Sequence, residues 1–406
     1  MQKETQEQMK YEIRHLTTGD LEQYNTLLRY AFQITEQELL ETGWRDDEIK
    51  QSKFPVLERA DVLGCFDGND LVSQIAVYPL KMNIYGVVYP VGFVTSVCTY
   101  PEYSGRGIMK RLMHQSLEHM RQRQQPVALL FPYSIPLYRK MGWEIISNKI
   151  SYTVKDRQIP SQLQAPGRVH RVNWDNEDFR NLHAQFAAAT HGCLFRNALA
   201  WEEYWRWDED DTVVAIYYDA AGKPSGYMVY LIKDDIMYVK EMIYLTREAQ
   251  QGLWEYIHAH DSMIDEVRGS SYYSDPIAFE LDDGDIRETI RPYIMGRIVD
   301  AEQFFPKYRC DPTAENVTIA FEIEDHFLPW NNKTVTVLFH RGECSLSAAA
   351  AKHHVKLSIA TLTALMLGYK TATKLQRLGR IEGEERAVRL LDDVLLHEAP
   401  YISDYI

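Results

Sequence analysis

Where a β-rich stretch gives way to a helix, the chain reads Val94-Thr95-Ser96-Val97-Cys98-Thr99-Tyr100-Pro101, then Ser104-Gly105-Arg106-Gly107-Ile108-Met109-Lys110-Arg111. Free amides at a helix N-terminus, at the positive end of the helix dipole, bind anions. Glycines let the backbone approach a phosphate, and successive amides form a nest. Arg106, Lys110 and Arg111 add positive charge in a chain of net charge -14, with 44 Lys+Arg against 58 Asp+Glu. A diphosphate-bearing cofactor is one reading of this stretch. An ordinary strand-to-helix turn with solvated basic residues is the other, and spacing alone leaves both open. GxxxxGK[ST] is absent and Lys110 stands where GxGxxG needs its third glycine, so ATP and NAD are poorly supported.

Other reactive residues are weaker candidates. Cys98 is a possible acyl-accepting nucleophile, but no His or Asp is linked to it in sequence, and a strand cysteine is usually a small buried hydrophobe. His258 and His260 are two apart on a helical stretch and point to different faces, and His353 and His354 are adjacent; a metal pair needs a spacing of three or four. The five cysteines, Cys65, Cys98, Cys193, Cys310 and Cys344, form no CxxC pair. That argues against a disulfide framework and a zinc knuckle, and no metal is expected. Trp201, Trp205 and Trp207, among Glu202, Glu203 and Asp208 to Asp211, form either a cation-binding wall or a helix packing its aromatic side inward. Phe32 and Trp44 are candidates for an acceptor pocket, with core packing the equal alternative.

These residues need a scaffold. Tyr11 to His15 reads as a strand, and a helix with apolar Leu21, Tyr24, Leu27, Leu28, Ala31 and Phe32 begins at Asp20. Strands at 62–66 and 71–84 flank Asp67-Gly68-Asn69-Asp70, a hairpin signal. A strand over 92–100, a helix from Ile108 to about Gln125, a strand at 127–131 and a short helix over 134–141 follow. The order partly recurs: strands at 213–218, 227–232 and 236–245, then a helix over 248–260, with no glycine-rich loop between the last two. This reads as a second copy of the fold that has lost its ligand loop, with a chance recurrence of element order the alternative. A third region has strands at 317–323 and 334–339, a helical stretch at 359–367, and an apolar, aromatic ending at Tyr401-Ile402-Ser403-Asp404-Tyr405-Ile406. Such a terminus is expected to be docked rather than frayed.

Composition narrows the class. Hydrophobic residues make up 45% and charged residues 25%, a globular balance. No apolar run reaches membrane-spanning length, and the polar N-terminus has no secretory core, so a cytoplasmic location without membrane attachment is expected. Negative net charge disfavours nucleic acid and favours cationic small molecules or basic peptides.

Ser104-Gly105-Arg106-Gly107-Ile108-Met109 resembles motif A of the GNAT N-acetyltransferases, (Gln/Arg)-x-x-Gly-x-(Gly/Ala), with Ser104 and Met109 departing from the pattern. A larger aliphatic residue after the second glycine is a feature of the enhanced-intracellular-survival (Eis) subfamily. Leu137-Tyr138-Arg139-Lys140-Met141-Gly142-Trp143, Ile294 to Asp300 and the C-terminal segment also resemble that subfamily. The resemblance spans nearly the whole chain. It implies an α+β protein: two tandem GNAT folds over 1–150 and 151–290, the second degenerate, then a sterol-carrier-protein-like domain over 291–406. It implies transfer of acetyl from acetyl-CoA to primary amines, of aminoglycoside-like polyamines or lysine side chains, and a homo-oligomer, specifically a hexamer. By position, the cofactor contacts are Val97, Cys98, Thr99, Gly105, Arg106, Gly107, Ile108, Met109, Lys110, Tyr133 and Ser134. Tyr138 is then the general acid and the Ile406 carboxylate the general base. A non-enzymatic CoA- or lipid-binding module is the rival reading.

Overall fold

The computed structural model describes residues 11–35, 37, 39, 45, 48, 51–161, 163–206, 211–274 and 276–406. Strand β1 (Glu12–His15) and helix α1 (Leu21–Phe32) precede three long strands, β2 (Asp61–Asp67), β3 (Asp70–Ile84) and β4 (Val87–Thr99). Helix α2 (Ile108–Gln122), β5 (Val127–Leu130), α3 (Ile135–Arg139) and β6 (Glu144–Ile145) follow. In α2 the side chains of Leu112, Met113, Leu117 and Met120 are buried, the stripe that a 3.6-residue period produces. Gly92 on β4 admits the end of that stripe, since a Cβ there would lie 2.6 Å from the Met120 methyl. Tyr24 and Leu27 of α1 are buried within a separate cluster.

Next come β7 (Asn148–Lys155), β8 (Arg168–Val172), β9 (Leu194–Phe195), α4 (Ala198–Trp205), β10 (Val213–Tyr218), β11 (Pro224–Lys233) and β12 (Ile236–Tyr244). Helix α5 (Arg247–His258), β13 (Glu266–Ser271), β14 (Arg287–Pro292) and β15 (Met295–Ile298) complete this part. The run β10-β11-β12-α5-β13 repeats β2-β3-β4-α2-β5. In both, the strands flanking the helix pair in parallel, and the preceding strands pair antiparallel. The recurrence in the sequence is therefore a repeated fold.

The sheets do not follow continuous blocks of sequence. The first has the order β1-β2-β3-β4-β5-β15-β6, with β9 on β3, and the second is β14-β7-β13-β12-β11-β10-β8. Thus β15, from beyond residue 290, enters the first sheet between β5 and β6, antiparallel to both. Strand β5 (Val-Ala-Leu-Leu) is wholly buried, and its backbone groups on the edge away from β4 need partners. Strand β15 provides them. Strand β7 in turn leaves the first unit to pair with β13 and β14.

The third sheet, β18-β17-β16-β19-β20, contains β16 (Val317–Glu324), β17 (Thr334–His340), β18 (Glu343–Leu346), β19 (His353–Ser358) and β20 (Ile381–Gly383). Helix α6 (Ile359–Met366) packs it onto β15, where Ile298 N donates to Thr363 Oγ1 at 2.9 Å. Arg297 of β15 is fully buried, ion-paired with Asp325 at 2.5 Å and donating to the Met141 carbonyl just after α3. The interior of the first unit is thereby bonded to the third.

Candidate active site

The site begins where two parallel strands part. Strands β4 and β5 pair from Val91↔Val127 to Val94↔Leu130 and no further. Beyond Val94, β4 keeps β3 on one edge and, among the described residues, has no strand on the other. A bulge lies at this point: three steps of β4, Thr95 to Cys98, oppose two of β3. Ser96 takes up the extra residue at φ 53°, buried, accepting from the Tyr24 hydroxyl at 2.9 Å. Bulges re-aim a strand. Past this one Val97 and Thr99 are half-buried on one side, while Cys98 is buried on the other. Burial pushes the Cys98 thiol up to about 12, so it is a core residue rather than a thiolate nucleophile.

The loop after β4 leads into α2 through Gly105 and Gly107, both left-handed (φ 77° and 74°), and a Cβ at either would meet nothing within 4 Å. Gly107 is the N-cap residue, no side chain among the described residues caps the helix, and its first turn carries no acid. Its amides are therefore available to an anion. The corresponding helix of the second unit, α5, is closed by its own residues: Thr246 Oγ1 accepts from Ala249 N at 3.1 Å, and Glu248 occupies the first turn. That capped N-terminus is the physical content of the degenerate second copy. Around α2, Arg106 lies over the Tyr103 ring and donates to the Glu102 carbonyl at 2.9 Å. Lys110 Nζ is 5.9 Å from the Phe327 ring, and Met109 is half-buried.

Across the opening, Ser134 is the N-cap of α3 and Tyr133 beside it is 95% exposed. Tyr138 is buried against Trp143, ring centroids 6.2 Å apart. Among the described residues nothing bonds its hydroxyl, and burial pushes the phenol up to about 12. The chain's last residues come back to this region. Tyr401 N donates to the His191 carbonyl at 2.9 Å. Arg196, fully buried, bridges Asp404 and Glu241 at 2.6 Å each. Tyr405 lies edge-on to Phe131, the residue after β5, at 5.1 Å, and Ile406 is half-buried. The terminus is docked as its composition suggests.

Phe131 and Tyr405 open onto a cavity of about 920 Å³ whose far wall is built by the second unit, including Lys149, Tyr204, Glu241 and Tyr293. Both of its carboxylates are already neutralised. Burial pushes Glu203 up, but Lys53 and Arg206 together hold it at about 2. Glu241 is held at about 2 by Arg196, again against burial. Glu241 had a sequence signal: it falls in phase with buried Met237, Val239 and Ile243, an acid on the inward face of a strand.

The remaining candidates separate. Phe32 is 52% exposed and does not line this cavity, while Trp44 and Trp207 lie outside the described residues. Trp201 and Trp205 pack on Phe179 and carry the protein's own cations, Arg196 over Trp201 and Lys240 over Trp205. His260 and His354 bond backbone carbonyls. Among the described residues, His15, Asp61 and His119 bring possible metal-binding atoms within 4.8 Å. The Asp61 carboxylate there is ion-paired with Arg123 at 2.7 Å.

Known proteins fit this geometry. Residues 12–146 and 192–298 each match an acetyltransferase (GNAT) domain, and residues 301–403 match a sterol carrier protein domain. An "Uncharacterized N-acetyltransferase" of Streptomyces avermitilis is 24% identical over 90% of this chain and 94% of its own. A "Probable N-Acyltransferase" from Enterococcus faecalis V583 superposes with a TM-score of 0.89 at 26% identity, covering 98% and 99% of the two chains. Two more share the fold over 98% of this chain. A GCN5-related N-acetyltransferase from Anabaena variabilis, covered completely, has a TM-score of 0.86 at 22% identity. Eis1 from Mycobacterium abscessus, also covered completely, has a TM-score of 0.80 at 20% identity.

Proposed function

The chain belongs to the GNAT N-acetyltransferases, in the Eis-like order of two acetyltransferase domains and a sterol carrier protein domain, and on that premise we propose that its first domain moves acetyl from acetyl-CoA to a primary amine by direct attack in a ternary complex. The contrast between the two helix N-termini carries this reading. One is uncapped, with open space over two left-handed glycines; its structural counterpart is sealed by Thr246 and Glu248. Acetyl-CoA supplies an activated thioester when bound. The amides of Gly107 to Lys110 suit its pyrophosphate, and the free edge of β4 at Val97 to Thr99 suits its extended arm. In this reading Tyr133 and Ser134, at the N-terminus of α3, complete the cofactor contacts.

Tyr138 keeps its proton at neutral pH, since burial holds the phenol at about 12, and gives it to the departing sulfur. The Ile406 carboxylate, held near β5 by the docked tail, takes a proton from the acceptor ammonium and frees the neutral amine that attacks the thioester carbonyl. The acceptor enters by the cavity between the two acetyltransferase units, and aminoglycoside-like polyamines and lysine side chains are the classes first tested. A cytoplasmic homo-oligomer, a hexamer, belongs to the same proposal, and sedimentation tests its order. Thiol release from acetyl-CoA, followed with a thiol dye across a panel of amines and by intact-mass analysis of the products, is the deciding experiment. Turnover with any amine supports the reading; acetyl-CoA binding without turnover points to a binding module.

A further inference from the structure

The cavity floor carries a pattern that bulk charge conceals. Strands β7 and β14 pair so that Lys149 stands directly opposite Arg291 and Ser151 opposite Thr289, while β13 places Ser270 opposite Ser151 on the other edge. All five residues line the cavity. Residues two apart on a strand share a face, so a row of three hydroxyls lies beside a pair of cations. Like charges directly opposite on neighbouring strands are destabilising. Neither cation has a carboxylate partner among the described residues. Lys149 instead lies 5.9 Å from the rings of Tyr272 and Tyr293, partly buried at a position where its charge is disfavoured. The cavity's two acids do not offset it, because Glu203 is ion-paired with Lys53 and Arg206, and Glu241 with Arg196.

We propose that Lys149 and Arg291, with the hydroxyls of Ser151, Ser270 and Thr289, form an oxyanion subsite, and that the acceptor is an amine that also carries a carboxylate or phosphoryl group. This rests on the acetyl-transfer reading and narrows its acceptor. An oxyanion between the cations accepts charge-assisted hydrogen bonds from both and from the hydroxyl row. The amine end then points along the cavity toward Phe131 and Tyr405, where β4 and β5 part. A polycation would meet two like charges on this floor.

The test uses the full-length protein and matched acceptors: lysine against cadaverine, and phosphoethanolamine against ethanolamine. The acid-bearing member of at least one pair is expected to have a kcat/KM at least about tenfold higher, the scale of a hydrogen bond to a charged group, and the pair that shows it tells carboxylate from phosphoryl. Lys149→Glu and Arg291→Glu should abolish that preference mainly through KM. If either fails to fold, Lys149→Met and Arg291→Met serve, and each should lose the same preference. Equal or better turnover of the amines without the acid, unaltered by charge reversal, overturns the proposal. Should no amine be acetylated, the acetyl-transfer reading fails by itself, and the subsite is judged by inorganic phosphate binding in calorimetry. Phosphate binding lost in Lys149→Glu upholds it; equal binding in both proteins, or none in either, overturns it.

Discussion

Replacing Tyr138 by Phe removes one oxygen and its proton from a buried ring, and the structure indicates what else should change. Because the hydroxyl bonds nothing among the described residues, its loss orphans no partner, and stability should stay within about 0.5 kcal/mol of wild type. Acetyl-CoA affinity should also hold, since the proposed contacts run from Val97 to Ser134 without it. Turnover should not. The phenol at about 12 is a weaker acid than a thiol of about 8.5, so a complete ground-state transfer to the thiolate is uphill by roughly 4–5 kcal/mol. Donation must therefore accompany C–S cleavage, the situation in which a positioned general acid contributes about 10²–10⁴-fold. The assay is steady-state thiol release with the best amine, with calorimetric acetyl-CoA binding and a thermal melt of the same protein. A further consequence is that the wild-type kcat should show no falling limb from this group below about pH 11. Full turnover in Tyr138→Phe refutes the role. So does an alkaline limb near pH 9–10 that disappears in the variant.

Gly107→Val places a β-branched residue at φ 74° in open space, so backbone strain costs about 1–2 kcal/mol of stability. Acetyl-CoA binding should weaken five- to thirtyfold as the amides are disturbed, as calorimetry would show. Deleting Ile406 leaves the anchors at Tyr401, Asp404 and Tyr405 in place but moves the terminal carboxylate by up to roughly 3.5 Å. The rate should then fall on the order of a hundredfold with the melting temperature unchanged, and a C-terminal tag should do the same. Glu203 is held at about 2 against roughly 4.3 in the unfolded chain. Its ion pairs thus contribute stability above about pH 4.3 that is lost as pH falls through 2, on the order of 3 kcal/mol. In Glu203→Gln, denaturant melts should show a shallower decline across that window.

The glycine loop and its helix were legible because the chemistry is local. Gly105, Gly107 and the onset of a 3.6-residue period at Ile108 sit within a few residues of one another. The repeat was legible too, since a meander followed by a helix has a characteristic order. What sequence withheld depends on pairing at long range. Nothing near Ser96 announces a bulge, because it exists only relative to β3. Nothing in Met295-Gly296-Arg297-Ile298 says that it completes a sheet begun at β1; read in order, it is the start of the next domain. The basic floor was hidden for the same reason: Lys149 and Arg291 are unremarkable surface residues until β7 and β14 set them opposite each other.

The exchange of β15 into the first sheet also governs how the chain is made. The acetyltransferase unit that reads first is the one that cannot finish first, since the edge of β5 and the partner of β6 arrive only with residues 295–298. At about 5–20 residues per second, that gap lasts on the order of 10–30 s on the ribosome. During that time a buried, apolar strand has one unpaired edge, the kind of surface that recruits other chains. The strand that closes it also carries Arg297, which reaches into the third unit. Completion of the first sheet is thereby tied to the arrival of the sterol carrier domain. A nascent chain released before residue 295 would lack a whole strand of its first sheet and leave the outer edge of β5 unpaired.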